Sequence, residues 1–228
     1  MVDVRRYMRY VIPGLIYAVL LTLAFFISDT EKAMAYIRSG EISKNIGFIL
    51  SAFLASGALG YIFSNIYFGL HWLTDDSIIA INHKGLFASL GNRINLIDAE
   101  GRPIDRNLLT KRDAWTIWSF YWYSNVENSE KYKISSARID NLVDITHGLG
   151  ASLIGTLLSF FTWIIALPAT SQNTKYINWG WIIIIVVLSI NYYKALKAVE
   201  RMVNSILVAA ITETTQGNRR IDIYYAKN

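Results

Sequence analysis

The chain has 228 residues, 53% of them hydrophobic and 14% aromatic, against only 17% charged and a net charge of +5. It contains no cysteine, which excludes disulfide frameworks, thiolate metal sites and thiol catalysis. The basic residues flank apolar runs instead of forming one stripe, a pattern that suits anionic lipid headgroups and argues against direct nucleic-acid binding.

Taken in order, four stretches meet the requirement of around 20 apolar helical residues for a bilayer core about 30 Å thick. The first is 10–28, with Pro13 and Gly14 in its opening turn, where proline costs least. Arg5, Arg6 and Arg9 before it and "AMA" at 33–35 also fit a cleaved secretory signal. Asp29, Glu31 and Lys32 intervene, however, and the apolar run is long for one, so a membrane span is the reading. The second stretch, 46–70, has no charged residue, and it leaves the bilayer through "LHWLTDD" with His71, Asp75 and Asp76.

The segment 71–147 is large enough for a small α+β fold. "NRINLIDAEGRPIDR" reads as two short strands around an "AEG" turn. Thr110 and Asp113 predict a helix cap ahead of "KRDAWTIWSFYWYS". Trp115, Trp118 and Trp122 in that helix fit either a helix lying at headgroup level or the aromatic core of the fold.

The third span is 148–167, ending at Pro168, and the fourth is 176–193, with Trp179 and Trp181 at one end and Tyr192 and Tyr193 at the other as two aromatic belts. Without Pro or Gly until Gly217, the last helix is predicted to continue past the bilayer. Leu196, Val199, Val203, Ile206 and Ala210 follow a heptad spacing, which reads as a self-associating seam. A plain helix packed on the small fold is the alternative, and Met202, Val208 and Ile211 widen the stripe in that direction.

Orientation follows from Lys and Arg near the span ends. Arg5, Arg6, Arg9, Lys84, Lys133, Arg138, Lys194, Lys197 and Arg201 lie on one side, and only Lys32, Arg38, Lys44 and Lys175 on the other. The expected architecture is an all-α integral membrane protein of the cell (inner or plasma) membrane with four spans and both termini cytoplasmic. Its parts are a first pair of spans (1–70), a small cytosolic α+β segment (71–147), a second pair (148–193) and a cytosolic helix with its tail (194–228).

Spans associate in lipid through small residues and polar contacts. Span two carries Ala52, Ser56, Gly60 and Ser64 at steps of four, beside Asn65, and span three carries Ala151, Gly155 and Thr162. Asp140, Asp144, His147 and Ala151 share an arc of ~60° on an α-helix. These residues are expected to line a polar interior formed by spans two and three, with spans one and four facing lipid. His71, Asp75, Asp144 and His147 would converge at one depth if those spans are neighbours. Solvated charge, an acidic pathway mouth, a divalent metal site and a proton-coupled switch all fit such a group. No cofactor motif, nucleotide loop or hydrolase signature is present in the sequence.

Three functional readings follow. The first is a homo-oligomeric gated channel or pore-type effector, and the second a membrane anchor or sensor that recruits a soluble partner. The third is a metal-dependent membrane enzyme acting on headgroups. In size and span layout alone the chain is similar to small membrane components of prokaryotic antiphage and CRISPR systems.

Overall fold

The computed structural model describes residues 7–38, 46–73, 81–89, 93–98, 100–166, 174–214 and 221–224. A π-helical turn, Tyr7–Val11, leads into α1 (Ile12–Ser28), and a short α2 (Thr30–Arg38) follows. Next come α3 (Ile46–Leu73), α4 (His83–Ser89), β1 (Ile94–Ile97) and α5 (Lys111–Trp122). The chain continues with α6 (Lys133–Ala166), α7 (Thr174–Thr214) and β2 (Ile221–Tyr224). Three helices, Arg9–Ser28, Lys133–Ala166 and Thr174–Glu213, are long and apolar enough to cross a bilayer, which supports a multi-pass membrane protein.

The chain divides into two compact units. The first, here called the bundle, comprises Met1–Leu73 and Asp144–Ala195. Its outward surface is apolar: Val19 and Leu23 on α1, Ile62 and Ile66 on α3, Ile164 on α6 and Val186 and Ile190 on α7 are all exposed. So many exposed apolar side chains are unfavourable in water and natural in lipid.

Inside the bundle, α1 and α3 meet backbone to backbone. A Cβ on Gly14 would overlap the Ser56 carbonyl oxygen, and one on Gly60 would overlap that of Tyr10. The Ser64 hydroxyl donates to the Arg9 carbonyl at 2.7 Å. The small stripe of span two therefore closes this helix pair. Ser56, Gly60 and Ser64 are buried, with Ser56 and Gly60 pressed against the backbone of α1 and the turn before it, while the rest of α1 keeps an exposed apolar side. The side chain of Ala52 lies outside the described residues. At the opposite end, Ala24, Trp163, Ile177 and Trp181 form an apolar plug, and the Trp163 indole donates to Asn178 at 3.1 Å.

The second unit comprises Thr74–Val143 and Leu196–Asn228 and mixes helix with strand. The expected turn is present. Asp98 accepts from the backbone N–H of Glu100 (3.0 Å) and of Arg102 (2.7 Å), and Gly101 takes φ 80°, a region that favours glycine. The predicted second strand is reduced to one bridge between Ile97 and Pro103. The true ladder of β1 is parallel, with β2, in the register Ile94↔Ile221 through Ile97↔Tyr224. Thr110 and Asp113 form a reciprocal capping box at the start of α5.

Leu196, Val199, Val203 and Ala210 are buried within a single chain, as are Leu207 and Ile211, while Ile206 is half-buried. Within one chain a stripe wider than a and d positions is thus packed inside the mixed unit, as in the alternative of a plain helix lying on the small fold. The tryptophans of α5 divide in the same way. Trp122 is buried and Trp118 half-buried in the core, so of the three only Trp115 stands exposed; Phe120, and Tyr123 just past the end of α5, are exposed as well.

Candidate functional site

Polar groups gather at the end of the bundle opposite the tryptophan plug. Helix α3 presents Ser64, Tyr67, Phe68 and His71 at steps of three and four, hence on one face. Helix α6 contributes Asp144 and His147, and α7 contributes Tyr192. Room for the Tyr67 ring comes from Gly150, where a Cβ would run into that ring.

The Tyr67 hydroxyl lies 3.0 Å from the Tyr192 hydroxyl and 3.3 Å from Nδ1 of His147. One hydroxyl thus joins α3, α6 and α7. All four rings are buried: Tyr67 2% exposed, Tyr192 5%, His71 3% and His147 9%. The His71 and His147 rings stand 6.0 Å apart, and Phe68 packs on His147 at 4.8 Å. Beside them, Nη2 of Arg9 reaches Oδ1 of Asp144 at 3.1 Å, and its guanidinium lies 5.3 Å above Phe68. A partly buried charge is tolerated at such a place because it is paired.

Asp144 thus faces Arg9, and His147 faces Tyr67. Ala151 is completely buried, Gly155 sits against the Pro13 carbonyl and the Phe63 ring, and Thr162 meets the Tyr17 hydroxyl at 3.2 Å. Asn65 points outward and bonds to the Tyr61 carbonyl of its own helix at 2.9 Å. Asp140 belongs to the mixed unit and is half-buried. Asp75 lies outside the described residues. Among those described, no group of three or more His, Asp or Glu could hold a metal ion.

The buried hydroxyls of α6 fold back on their own helix. Thr156 donates to the Ser152 carbonyl, Ser159 to Thr156 and Thr162 to Leu158, each at 2.8 Å. Hydroxyls satisfied in this way can be buried in a dry bundle without water.

The sequence reading missed Tyr67 as the partner of His147 and Tyr192 as the partner of Tyr67. The 3–4 spacing of Ser64, Tyr67 and His71 was the available signal for Tyr67. Arg9 was read as a topology charge, and its pairing with Asp144 has no local signature.

In the mixed unit the third histidine has a different setting. His83, 3% exposed, accepts the indole N–H of Trp118 on Nδ1 at 2.9 Å, with the two ring planes 21° from parallel. Comparison with protein-family models, curated proteins and solved structures finds no match for the chain.

Proposed function

We propose that the chain is a four-span protein of an inner or plasma membrane, with both termini and the mixed unit on the cytosolic side. In this reading it acts as a membrane anchor or sensor that presents the mixed unit to a soluble partner. The fourth crossing would be α3, which carries no charged residue and packs along α1. One observation carries the choice over a conduit within the chain: the small residues and hydroxyls of the bundle are spent on packing and on its own backbone. The exposed aromatic residues of α5 and of the turn after it, Trp115, Phe120 and Tyr123, are the groups offered for recognition.

Because the chain lacks cysteine, single cysteines report sidedness cleanly. With a membrane-impermeant maleimide, Lys84→Cys is expected to label only after permeabilisation, and Lys32→Cys or Lys175→Cys in intact cells. The reverse pattern would invert the topology. A photo-crosslinking amino acid at Phe120 is then expected to trap one discrete soluble protein in cells. Adducts with copies of the chain alone would remove the adaptor reading.

A second reading, a homo-oligomer enclosing a gated passage between copies, is favoured by Asn65. A carboxamide on the outer face of a membrane helix gains from a protein neighbour. The mass of the detergent-solubilised particle and ion flux from liposomes test it, and a monomer that leaves liposomes tight would eliminate it.

A further inference from the structure

We propose that His83 is a proton-operated latch between α4 and α5, closed when the imidazole is neutral and released when it is charged. An indole nitrogen can only donate, so Nδ1 of His83 must offer a lone pair, and the proton of the neutral ring sits on Nε2. Protonation adds an N–H at Nδ1, directed at the indole N–H. Two donors then face each other and the bond between the helices is lost. Burial of His83 opposes the charged form for the same reason that it stabilises the neutral one.

The bundle histidine provides the contrast. His147 meets a hydroxyl, which both donates and accepts. When His147 takes a proton, the Tyr67 hydroxyl can turn and accept from it, then donate onward to Tyr192, so that contact survives reversal. An indole has no such option.

The charged groups around α4 come from the helix itself and from three other elements. Lys84 follows His83 on the same helix. From α7, Glu200 accepts the backbone N–H of Asn82 at 2.9 Å on one carboxylate oxygen and is bonded by Lys197 at 2.6 Å on the other. From the loop after β1, the Arg106 guanidinium lies 5.7 Å from the Phe87 ring centre. Lys111 and Asp113 stand at the start of α5, and the Asp113 carboxylate is engaged by the Thr110 cap. The bond therefore stabilises the α4–α5 joint at neutral pH, and its contribution is lost on acidification. The inference does not depend on the anchor reading, since a latch in the mixed unit works whatever that unit binds.

The test uses the full chain in nanodiscs with ¹⁵N-labelled tryptophan, which gives seven indole signals, that of Trp118 being assigned with Trp118→Phe. From about pH 7.5 to about pH 5 the Trp118 indole proton is expected to move upfield as its bond is lost. Amide protection in α4 should fall about tenfold, the size expected for one such bond. In His83→Gln, whose side-chain carbonyl can accept but cannot be charged, the indole signal should stay fixed over this range. An unmoved Trp118 signal in the wild type, or the same movement in His83→Gln, overturns the proposal. Should that variant fail to fold, the histidine ¹³C spectrum of Trp118→Phe decides. There His83 is expected to titrate at higher pH than in the wild type, and an unchanged titration overturns the latch.

Discussion

The bundle and the mixed unit reach a packed interior by opposite means. In the bundle, α1 and α3 approach so closely that hydrogen atoms on Gly14 and Gly60 are all that fits between the backbones. In the mixed unit, the centre is filled by whole side chains: Ile94, Ile117, Val126, Leu196, Leu207 and Ile211 are almost completely buried. In the proposed topology, with the bundle in lipid and the mixed unit in water, the solvent explains the difference. Lipid gives apolar side chains no reason to leave it, so helices there gain by close backbone approach and satisfied polar groups. Water expels apolar side chains, so a fold in it gains by burying bulk.

Mutations of opposite sense should therefore harm the two units. The largest effect is expected for Leu207→Ala, which leaves a cavity in the mixed unit and should cost about 4 kcal/mol. It should be seen as early loss of tryptophan near-UV ellipticity on heating. Gly60→Ala adds one methyl group to the bundle and should cost about 3 kcal/mol through overpacking, measured as a lower melting temperature in detergent. A neutral Gly60→Ala would break the comparison.

Next comes Asp144→Ala, which leaves the Arg9 guanidinium without its carboxylate in a partly buried place. A loss of about 1–2 kcal/mol is expected, less than for a fully buried pair because both side chains retain some contact with solvent. Thr110→Ala removes the α5 cap and should cost about 1 kcal/mol, confined to the mixed unit. Hydrogen exchange along α5 would report it.

The smallest effect concerns pH. The Arg102 backbone N–H, then its guanidinium, hold the Asp98 carboxyl below the ordinary carboxylate range. Because the folded-state value is depressed, the contribution is complete above about pH 4. It is lost as pH falls through that lowered value. Asp98→Asn should flatten this acid limb of the stability profile for the turn, lowering its stability slightly at neutral pH, where the carboxylate's contribution is complete, and leaving it unchanged at low pH.

Much of the helical layout was legible in the residues, because length and hydropathy suffice for a span and a Thr-x-x-Asp pattern suffices for a cap. The extent of α7 past Tyr193 was legible too, since nothing in 194–213 breaks a helix. The partner of each face was not. Ser56, Gly60 and Ser64 announce close approach, yet a small stripe carries no record of which helix approaches. Likewise "INLI" and "IDIY" pair in parallel although they stand far apart in the chain, and four residues are too few to specify a register. The heptad steps from Leu196 to Ala210 were real but incomplete: Leu207 and Ile211, also buried, make the face broader than a and d positions alone. The contacts of Asp144 and His147 depended on Arg9, Tyr67 and Tyr192, residues that only the folded bundle brings together.

The account rests on the small stripe of α3 facing α1 of the same chain. Tyr10 and Tyr61, whose ring centres lie 5.6 Å apart, flank that contact and suit paired cysteines in a chain otherwise free of them. With two differently tagged copies of Tyr10→Cys/Tyr61→Cys expressed together, mild oxidation is expected to link the cysteines within each chain and give no product carrying both tags. Oxidation that gave mainly mixed-tag dimers, with little link inside one chain, would contradict the account.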